Sequence, residues 1–350
     1  MTMIKPSTIL KSTVIILLNT IIPTPAISSG LPAVKHIEAN PTGERASTVK
    51  ICQFQINIPL TTDTATLLPV IESPYKEYSG KIKKCLKTAK EQKSEVIIFP
   101  ELASCMKAEE RERIISLFRE YAEENDAIII AGTYYADDRR CIAPVIFPDT
   151  IYHSYKLRPS IFESSIFSGK GMTPSDTLCV YKTRYGNLVP LVCVDLISDD
   201  ANYTVRRLSN RGMADILISI CYNPASREFL REASSMTTRH PLFAIIANAA
   251  SGPGEENKIR SDSGYGLSAI TGSLHPMQTG SVAADLPVML KDCNGEVHDA
   301  YQNVIAVIEP QKEAALTYEL NLSVIRVPMS TNAPDQGYPT IKNIRHITIE

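Results

Sequence analysis

From residue 49 onward the chain alternates short apolar runs with longer segments whose apolar residues recur at helical spacing, the pattern of a layered α/β protein. It predicts a strand over 49–56, a Lys-rich helix with its charges outward over 78–92, and a short apolar strand over 95–99 that stops at Pro100. Over 107–125, Ile114, Ile115, Leu117, Phe118 and Tyr121 share one helical face opposite a charged one. Residues 127–134 read as a buried strand, apolar until Gly132 and Thr133. Pro148-Asp149 and residues 184–187 read as the turns of two hairpins, joining 141–147 to 150–156 and 177–181 to 188–194. There follow a helix over 201–211 closed by Gly212, a strand over 215–221, a helix over 227–240 stopped by Pro241, and a strand over 243–249. A Gly-, Ser- and charge-rich loop over 251–263 precedes strands over 266–271, 303–308 and 315–327. Beyond Pro328 the tail is polar and proline-spaced until a strand-like stretch over 341–349. No internal repeat or low-complexity tract interrupts this order.

The first 48 residues differ in texture. Two lysines within residues 1–11 precede a mostly apolar stretch over 14–22, and Pro23-Thr24-Pro25-Ala26 follows, an order that imitates a secretory signal. That apolar stretch, broken by Asn19 and Thr20, is far too short to span a bilayer. Residues 28–48 have a linker composition. The expected organisation is an extension over 1–48, a catalytic body over 49–328 and a tail over 329–350 that crosses onto a neighbouring protomer at an oligomer interface.

Composition removes whole classes. Among 350 residues, 36 basic and 38 acidic side chains leave a net charge of −2, too little to steer the chain onto nucleic acid or anionic lipid. Eight cysteines contain no C-x-x-C pair, so neither a disulfide scaffold nor a zinc or iron–sulfur site has its spacing. P-loop, G-x-S-x-G and H-E-x-x-H motifs are missing as well.

Candidate chemistry lies where apolar strands end in polar residues. Glu101 follows Val96-Ile97-Ile98-Phe99-Pro100; it reads either as a carboxylate at a helix start or as a partly buried proton shuttle with a raised pKa. Lys156 closes the 150–156 strand, either as a solvated edge charge or as a cation able to hold a developing oxyanion. Cys193, in Leu191-Val192-Cys193-Val194-Asp195, is a core thiol or a nucleophile at a strand–helix elbow, the latter favoured by the abrupt change to Asp195, Ser198, Asp199 and Asp200. The other seven cysteines lack that context and read as structural.

Taken in order, Ile98-Phe99-Pro100-Glu101, Ser154-Tyr155-Lys156-Leu157 and Leu191-Val192-Cys193-Val194-Asp195 resemble the motifs of the nitrilase, or carbon–nitrogen hydrolase, superfamily. Glu163, ahead of a Gly-containing loop, matches the family's second glutamate, and residues 246–249 and 266–270 echo its later core strands. The resemblance covers about residues 49–328. Leu157-Arg158 stands where the family often has a His-Leu pair, a departure that bears on substrate more than on reaction type.

The resemblance implies a four-layer α-β-β-α sandwich with two mixed sheets and protomers paired into a homodimer or larger homo-oligomer. It implies Glu101 as base, Cys193 as nucleophile, Lys156 with the Val194 N–H as oxyanion holders, and Glu163 as an orienting group. The implied activity is hydrolysis of a small-molecule C–N bond through a thioester, a linear amide before a nitrile, with no metal or organic cofactor. Tyr134, Tyr135 and the loops after Cys193 and Ala250 are expected to shape the pocket. An N-acyltransferase and a non-catalytic assembly or sensing module are the rival readings. A working thiol leans the expected compartment to reducing cytoplasm, with export as the alternative.

Overall fold

The computed structural model describes residues 30–39, 45–251, 265–272, 286, 290–291, 294–298, 301, 303–322 and 341–349. One sheet has seven strands in the order β1 (Ala33–Glu38), β10 (Thr177–Thr183), β11 (Gly186–Val192), β12 (Ile216–Cys221), β13 (Phe243–Asn248), β14 (Ala269–Thr271), β15 (Val304–Val307). The other runs β17 (Ile341–Thr348), β16 (Ala314–Asn321), β2 (Thr48–Gln55), β5 (Val96–Phe99), β6 (Ile128–Ala131), β8 (Cys141–Ile146), β7 (Tyr134–Tyr135), with β9 (Ile151–Tyr155) also on β8. A small ribbon joins β3 (Leu60–Thr62) to β4 (Pro69–Ile71). Four α-helices, α1 (Tyr75–Glu91), α2 (Ala108–Asn125), α3 (Asp199–Asn210) and α4 (Ser226–Arg239), complete the described elements. Both sheets mix parallel and antiparallel pairs, and the fold is the α/β sandwich expected from the sequence.

The layering follows from strand periodicity. Successive strand side chains point to opposite faces, and here both faces are apolar. Ile51, Val96, Ile98, Ile128 and Ile130 face the other sheet, whereas Cys52, Phe54, Ile97, Phe99 and Ile129 pack with Ile82 and Leu86 of α1 and Ile114 and Phe118 of α2. Phe54, Phe99 and Phe118 stack in series, with centroids 4.9 and 4.8 Å apart. On the far side, Phe229, Leu230, Ala233 and Met236 of α4 bury against the seven-stranded sheet. Where the sheets meet, buried Gln53 accepts from Tyr318 of the neighbouring strand at 2.7 Å and donates across the interface to the Ile246 carbonyl at 3.3 Å.

Two parallel blocks matter for function. β2, β5 and β6 are linked through α1 and α2, and β11, β12 and β13 through α3 and α4. In such crossovers the carboxyl ends of the strands share one rim, where α/β folds bind ligands.

Some expectations change. Residues 33–38, read as linker, form β1, which pairs in parallel with β10 from Ala33↔Thr177 to Glu38↔Lys182. The strand over 127–134 breaks after Ala131, because Gly132, at φ 73°, brings its backbone against Pro100: a Cβ there would lie 2.6 Å from the Pro100 carbonyl. The strand over 188–194 stops at Val192, since Cys193 turns into a 3-10 segment over Cys193–Ile197. The tail strand pairs within its own chain, β17 running antiparallel to β16 from Ala314↔Thr348 to Leu320↔Ile341. The loop expected over 251–263 lies, apart from Ser251, outside the described residues, as do Cys293 and residues 1–29. Among the described residues no helix is long and apolar enough to cross a membrane.

Candidate active site

Glu101 sits one residue beyond the Pro100 that ends β5, in a turn built by its neighbours. The Leu102 N–H donates to the Thr133 hydroxyl at 3.0 Å, the Ser104 hydroxyl donates to the Ala131 carbonyl at 2.5 Å, and Leu102 has φ 67°. The Gly132-Thr133 break in the adjacent strand is therefore what shapes the Glu101 turn. Lys156 follows β9, its N–H bonded to the Cys141 carbonyl at 3.0 Å.

Cys193 leaves β11 with φ 52°, a left-handed conformation that costs a non-Gly residue about 1–3 kcal/mol and clusters at functional sites. Asp195 holds that elbow in place. Its buried carboxylate accepts the N–H of Val192 at 3.2 Å, of Leu157 at 3.1 Å and of Arg158 at 2.9 Å. One side chain thus ties the strand end bearing Cys193 to the strand end bearing Lys156.

The functional side chains converge in the interior. The Lys156 ammonium donates to Glu101 Oε1 at 2.8 Å and lies 2.8 Å from Glu163 Oε2. The other Glu101 oxygen accepts the Tyr222 N–H at 2.9 Å, and the Glu101 carboxylate also hydrogen-bonds the Cys193 thiol. Glu163 is fixed by the Tyr135 hydroxyl at 2.7 Å and the Ser160 N–H at 2.8 Å. All four groups are enclosed: Glu101 and Cys193 are 3% exposed, Lys156 2% and Glu163 1%.

Electrostatics assigns them different states. Burial raises the Glu101 carboxyl above its ordinary range; Lys156 opposes that shift and Glu163 adds to it. Burial also works against the Glu163 carboxylate, yet Lys156 and the hydrogen bonds from Ser160 and Tyr135 bring it below its ordinary range. The Lys156 ammonium is disfavoured by burial but held charged by the two glutamates. A hydrogen bond with Cys221, together with burial, pushes the Cys193 thiol well up. The resting site is a neutral thiol beside a carboxylate whose proton affinity is raised.

Structural comparison agrees with this arrangement of sheets. Nit3 from Saccharomyces cerevisiae, a member of branch 10 of the nitrilase superfamily, superposes with a TM-score of 0.53 at 15% identity, covering 82% of this chain and 97% of that one. A CN-hydrolase superfamily protein from Xanthomonas campestris gives 0.51 at 14% identity over 78% and 90% of the two chains. An amidase from Nesterenkonia sp. gives 0.52 at 13% identity, again over 78% and 90%. The chain has the nitrilase-superfamily fold. No protein-family model and no curated protein matches by sequence.

Within the nitrilase fold, the structure brings Glu101, Lys156, Cys193 and Glu163 together and puts Val194 beside Cys193 in the first turn of the 3-10 segment, where backbone N–H groups have no intrahelical acceptor. Tyr135 is buried against Glu163, to which its hydroxyl donates, and Tyr134 is half-buried beneath the Arg111 guanidinium, 4.3 Å from its ring centroid. Three further residues enter the site without a clear sequence signal. Asn223, just past β12, donates its side-chain amide to Cys193 Sγ at 3.4 Å. It is braced by Asn248 at the end of β13, whose Oδ1 accepts the Asn223 N–H at 3.0 Å and whose Nδ2 donates to the Asn223 carbonyl at 2.9 Å. Cys221 contacts Cys193. Cys141 has its sulfur within 4.8 Å of carboxylate oxygens of Glu101 and Glu163. That last trio offers three metal-type donor atoms, but the Lys156 ammonium already bridges the two carboxylates and satisfies their charge.

Proposed function

We propose that this protein is a cysteine-dependent hydrolase of a non-peptide carbon–nitrogen bond, acting on a small linear amide through a thioester. The observation that carries the reading is the joint contact of one buried carboxylate, Glu101, with both a lysine and the thiol at a strand–helix elbow. Glu101 removes the Cys193 proton as sulfur attacks the carbonyl carbon, so a thiolate is formed only when substrate is present. The oxyanion develops beside the Lys156 ammonium and the Val194 N–H. On collapse, Glu101 returns the proton to the departing nitrogen, the C–N bond breaks, and the acyl group remains on Cys193. Water deprotonated by Glu101 then cleaves the thioester and releases the acid. Glu163 and Tyr135 hold Lys156 at the required point.

Cys193 is favoured over Cys141 because it alone combines the strained elbow, the Glu101 contact and the Asn223 amide; Cys141 is fully buried in a strand beside Thr133. Ammonia release from a panel of amides and nitriles tests the reading. Turnover lost in Cys193→Ala and kept in Cys141→Ala supports it, and full turnover by Cys193→Ala contradicts it.

Protomer pairing is part of the same proposal. Ile197 and Tyr203, next to and within the first turns of α3, leave large apolar side chains 40% and 53% exposed. A monodisperse monomer by light scattering at micromolar concentration would contradict it.

A further inference from the structure

The mechanism leaves one buried nucleophilic group unused. Val192 and Ile220 are register partners on the parallel strands β11 and β12; Cys221 is the last residue of β12, and Cys193 opens the 3-10 segment that follows β11. The two thiols are in hydrogen-bond contact, and Ser219 Oγ lies 3.3 Å from Cys221 Sγ on its other side. Both cysteines are reduced and both are enclosed. Neither the fold nor the proposed hydrolysis requires a second thiol there; an apolar residue would fill the β12 position equally well.

We infer that Cys221 is a resolving thiol for Cys193, making the pair a site of reversible modification by hydroperoxides. The inference rests on Cys193 being the thiol that Glu101 activates. In the first step Glu101 takes the Cys193 proton, the thiolate attacks the outer oxygen of a hydroperoxide, the O–O bond breaks, and the freed alkoxide or hydroxide takes up a proton. Sulfur is oxidised by two electrons to the sulfenic acid and the peroxide is reduced to an alcohol or water. In the second step the Cys221 sulfur attacks Cys193 sulfur, the S–O bond breaks, and the hydroxide leaves as water with the Cys221 proton. The product is a disulfide that occupies the nucleophile, stops hydrolysis, and shields Cys193 from the irreversible sulfinic and sulfonic states. A small-molecule dithiol restores both thiols by exchange.

The test uses the full chain, treated with hydrogen peroxide and then mapped by non-reducing peptide mass spectrometry, with iodoacetamide labelling of Cys193 measured in parallel. The expected result is a Cys193–Cys221 crosslinked peptide, complete loss of amide turnover, and full recovery with dithiothreitol. In Cys221→Ser and Cys221→Ala, the same dose should drive Cys193 to sulfinic acid, with turnover lost and not recovered. Over-oxidised Cys193 in the wild type, a crosslink to Cys141 instead, or equal recovery in wild type and both variants would overturn the inference while leaving the nucleophile assignment intact, provided Cys193 labels with iodoacetamide. A Cys193 that neither labels nor oxidises would overturn both.

Discussion

Lys156 Nζ donates to Glu101 Oε1 at 2.8 Å, in the interior, while the second oxygen of that carboxylate is held by the Tyr222 N–H. The proposed base is therefore oriented from two strand ends before any substrate arrives. That preorganisation is what separates a catalytic carboxylate from one that merely starts a turn.

Replacing Glu101 by Gln keeps the size of the side chain and removes the proton acceptor. The expected loss in kcat is about 10²–10⁴-fold, in both thioester formation and its hydrolysis. Because burial raises the Glu101 carboxyl above its ordinary value of 4.5, the wild-type rate should fall, as pH is lowered, at a point above that value. Pre-steady-state ammonia release across pH checks both statements; a limb at or below the ordinary value would contradict them.

Lys156→Met should destabilise the fold as well as remove activity. It leaves two neighbouring buried carboxylates without their cation, and breaking a buried pair in this way costs about 3–5 kcal/mol. Adding Glu163→Gln to that variant should recover part of the loss. Urea unfolding curves measure it, and a Lys156→Met protein within about 1 kcal/mol of wild type would show that the ammonium contributes no net stabilisation.

Asp195 gives a pH signature of stability. Burial pushes its carboxyl up to about 7, against the three backbone N–H groups that favour the charge. The folded form then holds a proton that an unfolded aspartate, with a pKa near ~3.9, releases. The stability this group contributes is present in full below the unfolded pKa and is lost as pH rises through about 7, a span of up to about 4 kcal/mol. Asp195→Asn should remove that slope, so the wild-type minus variant difference should shrink toward neutral pH. A pH-independent difference between pH 4 and 8, by chemical denaturation, would contradict this.

Much of the fold was legible from strand periodicity. The runs around Val96–Phe99, Ile216–Cys221 and Phe243–Asn248 are buried at every residue and mostly apolar, because both sheet faces are covered. β1 was not legible: Ala33–Glu38 is an edge strand with mostly exposed side chains, so no apolar alternation marks it. The elbow was expected after Cys193 but its start was not legible, since the apolar run continues through Val194 while the backbone already turns at Cys193. Glu101, Lys156 and Cys193 announced themselves at strand ends. Cys221 and Asn223 reach Cys193 only through the β11–β12 register, which no local pattern specifies. Gly132 carried its information in the shape of a neighbouring turn, visible only once Pro100 was seen against it.

Asn223 should act on the nucleophile and not on substrate affinity. Its amide donates to Cys193 Sγ at 3.4 Å, and Asn248 braces it from the next strand. Asn223→Ala is expected to lower kcat by roughly 10-fold, the equivalent of about 1.4 kcal/mol, with KM little changed, and to slow iodoacetamide labelling of Cys193. A rise in KM at constant kcat would place Asn223 on the substrate instead.

The central claim, that Cys193 carries the acyl group, is tested most directly by intact-mass spectrometry during turnover of an amide panel, with peptide mapping of the trapped species. The account predicts an acyl adduct on Cys193 that accumulates and decays with turnover and is absent in Cys193→Ala. Turnover with Cys193 unmodified throughout, or with the adduct on Cys141, would contradict it.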